Sequence, residues 1–135
     1  MLINSEGGDL APTFALIEVM RASKIPIETI GVGQCASAGL ILLMSGTPGL
    51  RMITPTCTSM THNYNTEIGG SHWDLEALHQ ELKNTHERIL QHYMECTGLS
   101  KTVIIKQLIG KTDRYLLPDQ VVKYNIADRV GRLEF

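Results

Sequence analysis

The chain has 135 residues, of which 43% are hydrophobic and 19% charged, with a formal net charge of −2. That is enough chain for one domain around a single core, and 1–135 is read as one unit. The near-neutral balance, with no basic run, argues against nucleic-acid binding and polybasic membrane contact, and no apolar stretch reaches the roughly 18 residues that span a bilayer.

Glu6 and Asp9 follow Met1 too closely for a signal peptide. Cys35, Cys57 and Cys96 make an odd count with no CxxC spacing. They read as reduced thiols of a cytoplasmic protein, with no metal site and no cofactor expected.

Met1 to Asn4 reads as the end of a strand. Asp9 suits a helix cap and Pro12 a first helical turn. The apolar positions Phe14, Leu16, Ile17, Val19 and Met20 carry that helix toward Ser23 and Lys24. Ile27 to Val32 reads as a strand. Ala36 to Met44 is apolar all round, which suits a buried helix starting at Ser37. Met52-Ile53 and Thr56 to Thr61 read as two short strands about Pro55.

Asn63 to Ser71 has no firm type. Asp74 to Cys96 is predicted as the longest helix, with Leu75, Leu78, Leu82, Ile89 and Tyr93 on one face. Ser100 can cap a helix running to Leu108. Pro118 starts another, ending at Asn125, which tolerates a left-handed turn. Strands alternating with helices argue for an α/β domain.

Ser37 lies in the small-residue run Gly33-Gln34-Cys35-Ala36-Ser37-Ala38-Gly39, with His62 25 positions later and Gly8 29 positions earlier. A serine at a turn, a later histidine and an early glycine pair are the parts of a serine hydrolase. Ser37 would attack, His62 would take its proton, and amides near Gly8 and Ala38 would hold the oxyanion. The plain alternative for Ser37 is a helix cap, and for Gly7-Gly8 a tight turn.

His72, His79, His86 and His92 compete with His62. The last three fall on the long helix, where they read as solvated or interface residues. His62 stands at a strand end, where site residues of α/β folds gather. Cys35 could be mistaken for a nucleophile but reads as core packing. Asp113, Asp119 and Asp128 all follow His62, and spacing does not choose among them.

Taken together, Asn4-Ser5-x-Gly7-Gly8, Gly33-Gln34-x-Ala36-Ser37-x-Gly39, Met60-x-His62, Asp113-Arg114-Tyr115 and Ala127-Asp128 resemble the proteolytic subunits of the Clp protease family. The resemblance implies a crotonase-like α/β fold of stacked strands flanked by helices, with a long handle helix. It implies serine endopeptidase activity on peptides or unfolded proteins inside stacked homo-oligomeric rings.

By the same resemblance Ser37 is the nucleophile, His62 the base and Asp113 the acid. Gly7, Gly8 and Ala38 form the oxyanion and substrate-binding segment. Arg114 is an oligomer contact, and Asn63 to about Glu81 falls on the handle between rings. An ATP-driven AAA+ unfoldase is the implied partner.

The chain departs from the pattern at several points. Glu6 replaces a proline, Ala38 a larger residue and Asn125 a glycine. The handle lacks a proline, and a short insertion precedes Asp113. The family's segment ahead of Asn4 is missing, so the chain is expected to be an N-terminally short form. Two other readings remain: an assembly subunit of this type with little or no catalysis, and an acyl-CoA enzyme of the wider crotonase group.

Overall fold

In a computed structural model, residues 1–63 and 69–134 are described. Eleven elements are found among them. β1 (Leu2–Ser5) leads into α1 (Leu10–Ala22), then β2 (Thr29–Ala36) and α2 (Ala38–Met44). β3 (Arg51–Ile53) and β4 (Thr58–Thr61) precede the long α3 (His72–Thr97) and α4 (Lys101–Gln107). β5 (Arg114–Leu116), α5 (Pro118–Lys123) and β6 (Arg129–Val130) complete the order. The result is the mixed α/β class expected.

β2 organises the sheet, whose order is β5-β4-β2-β3-β6 with β1 also on β2. Its first half, Thr29 to Gly31, pairs in parallel with β3, and its second half, Gln34 to Ala36, pairs in parallel with β4. The expected strand stopped at Val32 because Gly33-Gln34 breaks the apolar pattern. The strand instead runs through Gly33, whose φ of 63° bends it. The Asn4 side chain accepts a hydrogen bond from Gln34 N at 3.2 Å just beyond the bend.

The helix caps follow local chemistry. Asp9 Oδ1 accepts from Ala11 N at 2.9 Å, so α1 starts beside that residue. Ser71 and Asp74 form a reciprocal capping box, which starts α3 at His72, two residues before the sequence expectation, and Gly98 ends it in the left-handed conformation. Ser100 caps α4 as expected. Asn125 takes a φ of 56° just after α5. Residues 64–68 of the expected handle lie outside the described part.

The core gathers Ile17 of α1, Leu40 and Leu43 of α2, Ile53 of β3, Leu90 and Tyr93 of α3, and Ile104 of α4. α2 is the central helix, touching β1 to β4 and also α1 and α3. Its approach to β1 depends on Gly39, where a Cβ would fall 2.9 Å from Ser5 O.

One buried charge ties the elements at the start of the strands. Arg51, 2% exposed, pairs with Asp128 at 2.6 Å and donates to Cys96 O at 2.9 Å and Asn125 Oδ1 at 3.1 Å. Asp128 also accepts from the amides of Gly49 and Arg51 at 2.8 Å each. Burial alone would raise its carboxyl, but the Arg51 side-chain and amide bonds outweigh it and hold it below the usual carboxylate range.

Candidate active site

β2 and β4 are parallel neighbours, with Ala36 opposite Met60. Ser37 and His62 therefore emerge together from the C-terminal ends of adjacent strands, the position at which α/β sheets collect their sites. Ser37 N donates to Met60 O at 2.8 Å, which locks the turn to β4.

Ser37 sits between β2 and α2 with φ 53° and ψ −119°. A non-glycine residue held there costs of order 1–3 kcal/mol and persists only where its surroundings enforce it. The side chain makes no helix-cap bond. Its Oγ instead lies 2.7 Å from His62 Nε2. With the imidazole protonated on Nδ1, the serine O–H donates to Nε2, the arrangement of a nucleophile and its base. Ser37 does occupy the N-cap position of α2, but its hydroxyl is turned to His62 and not to the helix amides.

Gly7 packs directly behind the serine. Its φ is 112°, and a Cβ there would come within 2.7 Å of Ser37 Cβ and 3.2 Å of Oγ. The Gly7 amide is already used, donating to Ser5 Oγ at 3.1 Å. Gly8, not Gly7, lines the adjoining cavity together with Ser37 and His62. Ala38 opens α2, so its amide has no intrahelical acceptor.

The three candidate acids have different surroundings. Asp128 is committed to Arg51, as described above. Asp119 lies exposed in the first turn of α5. Asp113 is exposed and makes no hydrogen bond to His62, yet it directly precedes β5. That strand runs antiparallel to β4 with Thr61 opposite Arg114. His62 and Asp113 each lie one residue beyond that last formed pair. β5 went unrecognised in the sequence, and its pairing with β4 is what brings the Asp113 backbone to the end of the strand that carries His62. Arg114 is exposed and donates to Lys106 O at 3.5 Å.

A cavity of about 100 Å³ opens beside Ser37 and His62. Leu10, Ile41 and Ile89 line it, as do Thr61 and Tyr93, whose hydroxyls are hydrogen-bonded at 2.8 Å. Burial pushes the Tyr93 phenol up to about 12, against the opposing pull of the Thr61 bond, so it stays neutral. None of these five residues was singled out as a site residue. The four-residue step from Ile89 to Tyr93 on the apolar face of α3 was the available signal.

Other expectations divide. Cys35 is packing, as read. It is fully buried, its Sγ donates to Ile3 O at 3.4 Å, and its contact with Cys57 together with burial pushes the thiol up.

His92 is not solvated but 3% exposed. Arg21 donates to its Nδ1 at 3.2 Å, which leaves Nε2 protonated to face Ser45 Oγ at 2.9 Å. Burial first, and the Arg21 charge second, lower its pKa. His79 is exposed and His86 half-buried. Among the described residues no group of three or more His, Cys, Asp or Glu is set to hold a metal ion, and no helix is long and apolar enough to cross a membrane.

Comparison with known proteins bears on the whole chain. The family model described as Clp protease matches residues 1–134. The chain is 31% identical over 130 residues to the ATP-dependent Clp protease proteolytic subunit of Deinococcus radiodurans, covering 96% of this chain and 63% of that protein. It is 31% identical to proteolytic subunit 1 of Leifsonia xyli subsp. xyli, covering 96% of this chain and 65% of the relative. It is 30% identical to the chloroplastic proteolytic subunit 4 of Arabidopsis thaliana, covering 96% and 44% respectively. The chain thus spans about three-fifths of the length of the bacterial relatives. With the sheet, the long α3 and this extent of match, the chain belongs to the Clp protease family.

Proposed function

We propose that the chain is a serine endopeptidase that cleaves peptides or unfolded proteins within a cytoplasmic homo-oligomeric ring assembly. The observation that carries this reading is the 2.7 Å contact between Ser37 Oγ and His62 Nε2 on a strained strand-to-helix turn. In the first step Ser37 Oγ bonds to the scissile carbonyl carbon while its proton passes to His62 Nε2. The Gly8 and Ala38 amides donate to the oxyanion. The C–N bond then breaks as His62 returns the proton to the leaving amine. Water, deprotonated by His62, attacks the acyl-enzyme and releases Ser37.

Asp113 accepts the His62 Nδ1–H and holds the base in its working tautomer. The β4–β5 register supports that role, because it brings the two residues one step beyond a formed pair. Arg114 and the start of α3 supply contacts between subunits, and an AAA+ unfoldase delivers folded substrates.

The test is labelling of the purified protein by a fluorophosphonate, followed by mass spectrometry of the adduct. Ser37 takes up the label. Ser37→Ala abolishes labelling, and His62→Ala slows it by about 10³-fold or more. Equal labelling of His62→Ala and the parent overturns the mechanism.

A further inference from the structure

We propose that Cys35 and Cys57 form a peroxide-responsive thiol pair, whose closure to a disulfide shifts β2 against β4 and slows the reaction of Ser37. The thiol chemistry stands apart from the peptidase reading, and only its effect on Ser37 rests on that reading.

The fold brings these thiols together from the two strands that carry the site. Cys35 lies on β2, two residues before Ser37, and Cys57 directly precedes β4, five residues before His62. Thr54 N donates to Gly31 O at 2.9 Å, and Thr58 pairs with Gln34, so both ends of the turn that carries Cys57 are fastened to β2. Cys57 N closes that turn by donating to Thr54 O at 3.0 Å. The two sulfurs are in contact, and both are free thiols. Gly31 makes room for them, since a Cβ there would fall 3.0 Å from Cys35 Sγ.

The two sulfurs are unequal. Cys57 borders an open cleft together with Pro55, Thr56, Tyr115 and Leu117, a route for a molecule as small as hydrogen peroxide. Cys35 is fully buried behind it. The Cys35 thiol bonds to the Cys57 sulfur and holds it below the ordinary thiol range against the effect of burial, with help from Ser59. The same contact, and then burial, push Cys35 up. Cys57 therefore ionises first, and the thiolate is the form that peroxide attacks. Cys96 is the contrast. It stands on α3 with His92 Nε2 at 3.4 Å, and burial pushes its thiol up.

In the first step the Cys57 thiolate attacks one oxygen of hydrogen peroxide, and the O–O bond breaks. The departing hydroxide takes up the proton that Cys57 shed and leaves as water, with Cys57 oxidised to a sulfenic acid. The Cys35 sulfur then attacks the Cys57 sulfur, the S–O bond breaks, and the hydroxyl leaves as water with the Cys35 proton. Two thiols lose two hydrogens, and one peroxide is reduced to two waters.

Closure reaches the site through the strands. Disulfide sulfurs stand about 2.05 Å apart, so two thiols in contact must draw closer. Cys35 also gives up the S–H that donates to Ile3 O at 3.4 Å, a tie to the strand that leads to Gly7 behind Ser37. The shift is felt where Ser37 Oγ and His62 Nε2 meet at 2.7 Å. Misplacement of reacting groups by about 1 Å can cost 10²-fold.

The experiment treats the reduced full chain with hydrogen peroxide, caps the remaining thiols with an alkylating agent in denaturant, and maps unreduced peptides by mass spectrometry. A linked Cys35–Cys57 peptide appears, two hydrogens lighter than its parts, and Cys96 is alkylated. In Cys35→Ala the Cys57 sulfenic acid lacks its partner and is trapped by dimedone. Fluorophosphonate labelling of Ser37 slows at least tenfold in the oxidised protein and recovers with dithiothreitol. Cys57→Ala loses both the linked peptide and the slowing.

Absence of a linked peptide, or a link to Cys96 instead, overturns the thiol pair. A linked peptide with Ser37 labelled at an unchanged rate overturns the coupling to the site. A reduced protein that takes no fluorophosphonate overturns the peptidase reading and the coupling with it, while the linked peptide still decides the thiol pair.

Discussion

Gly7→Ala tests how the serine is held. A Cβ at this position would stand 2.7 Å from Ser37 Cβ and 3.0 Å from Ala36 O, with the backbone at φ 112°. Holding a non-glycine residue in such a conformation costs about 1–3 kcal/mol. Forcing a methyl group into a filled space costs about 1–3 kcal/mol more. The stiffer unfolded chain returns about 0.4–1 kcal/mol. The net loss is roughly 1–6 kcal/mol, read as a urea-unfolding free energy by circular dichroism.

Relief of the clash also has a catalytic consequence. Reaching ordinary contact near 3.4 Å moves Ser37 and the new methyl apart by about 0.7 Å. Misplacement of reacting groups by about 1 Å can cost 10²-fold, so fluorophosphonate labelling slows by about 10- to 100-fold. Gly8→Ala is the contrast. It has a φ of 147° but no atom within 4 Å, so only the backbone penalty applies to its stability. If Gly7→Ala unfolds within about 0.5 kcal/mol of the parent and labels at the same rate, close packing behind Ser37 is not what positions it.

Arg51→Met leaves Asp128 without its buried partner and lowers unfolding free energy by about 3–5 kcal/mol in urea melts; a change under 1 kcal/mol removes the case for a structural ion pair. Because the folded Asp128 carboxyl is held below its ordinary value, its contribution is intact above about pH 4 and is lost as pH falls through the folded value, an effect absent from melts of Asp128→Asn. His92 is also depressed in the fold, so stability declines as pH drops below about 6.5, where the unfolded chain takes up a proton that the folded chain refuses. His92→Gln flattens the profile between pH 6.5 and 5, and an unchanged slope there refutes the assignment. Ser59 Oγ is fully buried and meets no partner at ordinary hydrogen-bond geometry among the described residues, only the weakly bonding Cys57 thiol, so Ser59→Ala changes stability by less than about 1 kcal/mol; a loss above about 2 kcal/mol in the same melts shows that the hydroxyl has a stronger partner.

The parts of the site legible in the sequence were those set by local chemistry. Ser37 could be read from its run of small neighbours, His62 from its strand end, and Asp9, Ser100 and Asn125 from their capping chemistry. What escaped was set by pairing across the fold. β5 and β6 have three and two residues, too few for periodicity, and exist because β4 and β3 offer them edges. The nearness of Asp113 to the end of β4 was therefore invisible, since it is a property of the ladder and not of spacing. The strained φ of Ser37 was equally hidden, because it follows from Gly7 and Met60 closing on the turn. His92 was misread because Arg21 and Ser45, which satisfy its nitrogens, lie 71 and 47 positions away.

The eight residues of β2 set a distance that matters for altering this molecule. Arg51 and Asp128 gather at the start of that strand and Ser37 stands past its end, a separation on the order of 20–25 Å at the usual rise per residue. An ion pair with no net charge presents only a dipole at that range, whose field falls off faster than that of a single charge. The ion pair that secures the fold and the Ser37–His62 pair therefore stand at opposite ends of one strand. Replacing the former with a well-packed apolar pair would change the acid tolerance of the scaffold at a whole strand's remove from Ser37.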